Sequence, residues 1–197
     1  ALEKEIADRY ILLLEISVKL TESRKLAAAE FSRLLEEKAR LLGMPNLRFE
    51  VELVPRPEID ETGAEQICFL FSANKNQSMQ PVAEVASGGE ISRLMLCLKA
   101  LIAHVTVLPT IIFDEVDTGV SGEVADKMGD IMQEMSRYMQ VISITHLPQV
   151  ASKGRHHYRV YKQDTEISTQ THIEELKDRK RIEEIARMLS GASLTGA

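Results

Sequence analysis

The chain has 197 residues, 44% of them hydrophobic, with a net charge of −6 and a pI near 5.5. That length and apolar content allow a substantial core in one or two domains. The acidic balance argues against a strongly basic nucleic-acid surface, although a local basic patch stays open. No run reaches the roughly 18 apolar residues of a membrane span, and the first residues are not a signal peptide. There is no Trp and aromatics make up 5%, so the core is expected to be mostly aliphatic. Cys68 and Cys97 are far apart in apolar contexts, and read as small buried hydrophobes in a reducing compartment. The chain begins without Met and inside a helical pattern, so a piece of a longer polypeptide is expected.

Residues 2–42 contain neither Pro nor Gly and are rich in strong helix formers. Ile6, Leu13, Leu20, Ala27, Leu34 and Leu41 recur every seven residues, as a coiled-coil seam would. The second seam position is intermittent: Tyr10 and Phe31 fit, whereas Ser17, Arg24 and Lys38 do not. A coiled-coil arm and a long helix packed on a globular core both remain open. Gly43-Met44-Pro45 ends the helix, and 43–197 is expected to form the globular lobe. Leu47, Phe49, Val51 and Leu53 alternate as in a half-buried strand; 55–63 reads as a polar turn; 66–73 reads as a second, antiparallel strand. From Ser87 the period changes, and Ile91, Leu94, Met95, Leu98, Leu101 and Ile102 mark one helix face. Strand 110–113, helix 122–138 and strand 141–145 predict a parallel β-α-β unit. A hairpin over 158–161 and 166–173 and a helix over 179–189 complete the chain. The overall pattern is α/β.

Asp114 and Glu115 close the apolar run Thr110-Ile111-Ile112-Phe113. Ligands of open α/β sheets bind at such strand ends. An Asp there can hold Mg²⁺, usually through water, and Glu115 can reach an attacking water. A solvated turn is the bland alternative. Ser87-Gly88-Gly89-Glu90 opens a helix whose uncovered N–H groups would make an anion site, with Ser87 able to cap the helix or donate to a phosphate. A plain Ser cap in a Gly turn is the alternative. His146 directly follows the strand 141–145, where an imidazole can donate to a phosphate oxygen; a lone His is more often structural, which is the alternative. Asp117 stands in the loop beyond the acidic pair, as a site residue or a turn residue. His156-His157 would point to opposite faces of a strand and chelate poorly. Glu174-Glu175, Lys177 to Arg181 and Glu183-Glu184 read as a solvated helix and its approach. The sequence has no G-x-x-x-x-G-K-[ST] phosphate loop.

In this order the motifs resemble the C-terminal part of an ABC-type ATPase head. Ser87-Gly88-Gly89-Glu90 resembles the signature motif, Ile111 to Glu115 the Walker B strand with its catalytic glutamate, Asp117 the D-loop aspartate and His146 the switch histidine. Three longer stretches, Val85 to Leu96, Phe113 to Gly122 and Thr145 to Ala151, resemble the RecN family of bacterial DNA repair proteins, and Phe71-Ser72-Ala73-Asn74-Lys75 fits it as well. Ala86 and Glu90 depart from the L-S-G-G-Q of transporter relatives, and Glu90 suits the SMC-like branch. The resemblance implies a cytoplasmic, nucleoid-associated bacterial protein for double-strand break repair and recombination. It implies an SMC-like head built from both ends of a chain, residues 1–42 being the returning end of a coiled-coil arm. It further implies ATP and Mg²⁺ as ligands. The implied partners are the N-terminal half of the same head with its Walker A loop, a second head in an ATP-sandwich homodimer, and DNA. On that pattern Asp114 serves Mg²⁺, and Glu115 and His146 are catalytic. Ser87, Gly88, Gly89 and Glu90 meet a partner's nucleotide, and Asp117 links the two sites. The chain alone is expected to be inactive. Two further readings stay open: a different SMC-like or RecF-like head, and a non-enzymatic scaffold that binds a partner through residues 1–42.

Overall fold

Forty residues without a helix breaker fold as one helix, α1 (Leu2–Leu41). The computed structural model describes residues 2–84, 88–105, 108–114, 116–164 and 168–190. The helix is closed by Gly43 at φ 74°, where a residue with a Cβ would be strained. Gly43 N–H donates to the Arg40 carbonyl at 3.3 Å and Met44 N–H to the Ala39 carbonyl at 3.1 Å, the paired bonds of a Schellman stop. The chain divides into two compact units, Ala1–Cys97 and Leu98–Ala197.

In the first unit, α1 packs on an antiparallel hairpin of β1 (Arg48–Asp60) and β2 (Gly63–Ser72), extended by the short β3 (Gln80–Pro81). The buried stripe of α1 is Ser17, Leu35 and Ala39, with Leu42 following it. Within one helix these positions share a face with Thr21, Arg24, Ala28 and Phe31. Phe31 meets Phe49 edge-on at 6.0 Å, Phe49 stacks on Phe69, and the Phe49 N–H donates to Glu36. The seven-residue stripe lies elsewhere: Ile6, Leu13, Leu20 and Leu41 are all exposed. Tyr10, Ile11, Leu12, Leu14, Ile16 and Val18 are exposed too, so this stretch is apolar on every side.

The expected turn over 55–63 is instead mostly strand. β1 runs on through Pro55 and Pro57, and the reversal is confined to Asp60–Gly63. β1 is an edge strand, so the missing proline N–H groups remove no necessary ladder bond, and the register shifts between Pro55 and Asp60. Asp60 accepts the Thr62 N–H at 2.7 Å, and Gly63 takes φ 108°. A Cβ at Gly63 would stand 2.8 Å from Arg24 Nη1 and 3.0 Å from Leu20 Cδ2, so the helix approaches the turn closely. A 3-10 turn (Val82–Glu84) precedes α2 (Gly88–Ile102), whose buried residues are Leu94, Leu96 and Cys97. Burial pushes the Cys97 thiol up to about 12, which leaves it inert as a nucleophile.

The second unit contains the expected crossover. β4 (Thr110–Asp114) and β5 (Gln140–Ile144) pair in parallel, joined by α3 (Gly122–Met135). The helix stops at Met135 rather than 138. It buries Ala125, Met128, Ile131, Met132 and Met135, a face supplied largely by methionine. One face of the strand pair stays open, with Ile112 61%, Ile142 41% and Ile144 53% exposed, while Phe113 is buried. The short α4 (Pro148–Lys153), which sequence periodicity did not mark, starts on Pro148. Lys153 reaches back to Asp126 at 2.8 Å and to Asp130 on α3. The hairpin β6 (His157–Asp164) and β7 (Thr169–Leu176) follows, β6 longer than the expected 158–161 and β7 shifted toward the C-terminus from the expected 166–173, then α5 (Asp178–Ser190). Arg181 of α5 donates to the Ser152 carbonyl at 2.8 Å and the Gly154 carbonyl at 2.5 Å, which closes the end of α4. The charged segment 174–184 is not simply solvated: Glu184 is buried, with Arg159 at 3.6 Å and Arg187 paired to it.

Candidate functional site

A parallel strand pair aligns its carboxyl ends, and the register Asp114↔Ile144 places Asp114 and the residues after Ile144 at the same rim. Asp114 is exposed there. A solvent-facing carboxylate oxygen is the donor type that a hard cation such as Mg²⁺ takes, so the residue fits the ion expected of it. Glu115 lies outside the described residues.

The chain then turns over Asp117–Val120, closed by the Val120 N–H donating to the Asp117 carbonyl at 3.1 Å and helped by Gly119 at φ 74°. This turn drives the Asp117 side chain inward, leaving the residue 1% exposed. Its Oδ2 accepts the Thr145 hydroxyl. Its Oδ1 is buried with no hydrogen-bond partner among the described residues. The Nδ1 atom of His146 stands 3.6 Å from that oxygen, and the imidazole is 68% exposed. Thr145 also accepts the Leu147 N–H at 3.0 Å, which shapes the step from β5 into α4. The fold therefore gathers Asp114, Asp117 and His146 at one rim, with Thr145 between them. Thr145 has no assigned part in the sequence reading. The available signal was a hydroxyl immediately ahead of a rim histidine, and only the fold supplies its carboxylate partner. Asp117 is thus both the first residue of the turn and a buried acceptor.

Gly88, Gly89 and Glu90 form the first turn of α2, as expected, and Ser87 lies outside the described residues. Among the described residues, a Cβ added at Gly88 would meet nothing within 4 Å, which leaves room there for an approaching group. Glu90 in the first turn suits the positive end of the helix dipole. Ser92 bonds back to the Gly88 carbonyl at 2.7 Å. His156 is engaged by Glu175 at 3.0 Å, and the imidazole of His157 is held below its ordinary range by burial and then by Arg181. No helix among the described residues is long and apolar enough to cross a membrane.

No protein-family model matches the chain. Curated relatives do. The DNA repair protein RecN of Rickettsia felis is 39% identical over 183 residues, 93% of this chain and 34% of that protein. RecN of Haemophilus influenzae is 37% identical over 89% of this chain and 32% of its own length, and RecN of Vibrio cholerae 36% identical over 99% and 35%. Among solved structures, the Smc head domain of Pyrococcus yayanosii, with a coiled coil and joint, superimposes with a TM-score of 0.67 at 20% identity, covering 95% of this chain and 34% of that one. A structure from work on ATP-driven dimerization and DNA-stimulated activation of SMC ATPases gives 0.52 at 16% identity, covering 88% and 98%. At these identities the structural likeness establishes the fold, the α/β architecture of an SMC head. The chain spans about a third of the length of the curated relatives it matches. That sequence identity, sustained across nine tenths of its residues, makes the chain similar to about a third of the length of RecN.

Proposed function

We propose that this chain is the C-terminal portion of a RecN-like, SMC-family ATPase that serves DNA double-strand break repair and recombination. The observation that carries the reading is the shared rim of β4 and β5, where Asp114 ends its strand and Asp117 faces His146, in the chain order of an ATPase head. Residues 1–42 would be the end of a coiled-coil arm and 43–197 the lobe. The open isoleucine face of β4 and β5 supports a missing half, because parallel strands are ordinarily covered on both faces. That half would carry the Walker A loop.

In this reading ATP is the substrate, and Asp114 would hold Mg²⁺, which when bound would supply charge neutralisation for phosphoryl transfer. Glu115 orients the attacking water, and His146, exposed at the rim, donates to the terminal phosphate. Ser87, Gly88, Gly89 and Glu90 at the open start of α2 meet the nucleotide of a second head in a homodimer. Asp117 links the two sites, and DNA is bound by the full-length protein. An SMC ATPase of the same fold undergoes ATP-driven dimerization, the behaviour proposed here.

The test is Glu115→Gln in the full-length protein. ATP should still bind and the dimer should persist, while turnover falls by roughly a hundredfold or more. Normal hydrolysis by the variant would refute the role given to Glu115. No hydrolysis by the wild type would refute the ATPase reading itself.

A further inference from the structure

We propose that Thr145 is a positioning residue: its hydroxyl locks the Asp117 carboxylate and so sets where His146 stands. The inference rests on the ATPase reading above, in which His146 and Asp117 act at the nucleotide.

One hydroxyl does two things here. It donates to Asp117 Oδ2, and it accepts the Leu147 N–H at 3.0 Å. The first contact reaches across to the loop after β4, the second fixes the chain on the far side of His146. The histidine is thus held between two backbone positions tied to one side chain. Asp117 is almost wholly buried, so its carboxylate cannot turn to water to satisfy itself. With Oδ2 anchored, Oδ1 is left without a hydrogen-bond partner among the described residues and faces His146 Nδ1 from 3.6 Å, beyond bonding distance. A buried acceptor without a donor is costly and uncommon. A mostly exposed imidazole beside it has two places to go: inward, to satisfy that oxygen, or outward, to the rim where Asp114 ends its strand. Thr145 holds the acceptor in place and so defines the inward position.

The test uses the full-length protein and two variants. Thr145→Val keeps the shape and removes the hydroxyl; Thr145→Ser keeps the hydroxyl. Without nucleotide, hydrogen exchange at the Leu147 amide should quicken by roughly tenfold in the Val variant and by less than about twofold in the Ser variant. Equal exchange in wild type and Thr145→Val would overturn the lock. In steady-state hydrolysis Thr145→Val should lower kcat roughly tenfold, with KM for ATP within about twofold, and Thr145→Ser should restore most of kcat. An unchanged kcat in Thr145→Val, or a Ser variant as impaired as Val, would overturn the positioning role. If the wild type hydrolyses no ATP, the ATPase reading falls, and the exchange measurement alone decides whether the lock exists.

Discussion

Glu65 in the first unit and Asp117 in the second, both buried carboxylates, are handled in opposite ways. Glu65 in β2 is saturated: Oε1 accepts the Thr21 hydroxyl, and Oε2 is 3.1 Å from Arg24 Nη1, whose other nitrogen bonds the Thr62 carbonyl at 2.6 Å. Asp117 in the second unit also accepts a threonine hydroxyl, yet among the described residues its second oxygen has no donor, beside an exposed histidine. A carboxylate with both oxygens paired has one favourable arrangement and holds α1 to the hairpin. One with a single oxygen paired keeps a reason to recruit another group. The first is fixed through both oxygens, the second through one.

The contrast can be broken at several points. The largest effect is expected from Asp117→Asn in the full-length protein. The amide offers one acceptor oxygen where the carboxylate offers two, and turnover of ATP should fall by roughly a hundredfold with little change in melting temperature. A large loss of melting temperature with intact turnover would make Asp117 a structural acid like Glu65. Next comes Leu35→Ala. Leu35 is wholly buried on the stripe of α1 that faces the hairpin, and its truncation should cost about 2–5 kcal/mol in urea unfolding while kcat stays close to wild type.

The smallest effect sharpens the comparison by pH. The Thr21 hydroxyl, then Arg24, holds the Glu65 carboxyl below its ordinary value of 4.5. The stability it contributes is therefore complete above pH 4.5 and is lost as pH falls through the depressed folded value. Thr21→Val should shrink the loss of melting temperature between about pH 5 and 3, and leave the melt at pH 7 less stable than wild type. An acid limb identical in the two proteins would show that Glu65 is not held by Thr21.

Much of the fold follows from local pattern. The absence of Gly and Pro from 2–41 wrote α1, Gly43 wrote its stop, and two apolar runs around an amphipathic segment wrote β4, α3 and β5. The errors sit where local pattern and tertiary context part. Pro55 and Pro57 read as a turn, but an edge strand tolerates them. Glu184 read as solvated, but Arg159 and Arg187 pair it in a buried position. At the rim, Asp114, Asp117 and His146 were legible as residues. Thr145 was not, because its partner lies 28 residues away and its bond depends on the parallel register.

The sequence by itself determined the elements, their order and the kinship, because helix breakers, hydrophobic period and motif order are properties of neighbouring residues. It also placed an acid and a histidine at strand ends. Tertiary structure alone decided that one stripe of α1 is covered while most of its seven-residue stripe is exposed, since two sides of a helix are equally apolar until something packs on one. It alone decided which oxygen of Asp117 is satisfied and which is left facing His146. Burial and hydrogen-bond pairing are sums over the whole fold, and no local window of residues contains them.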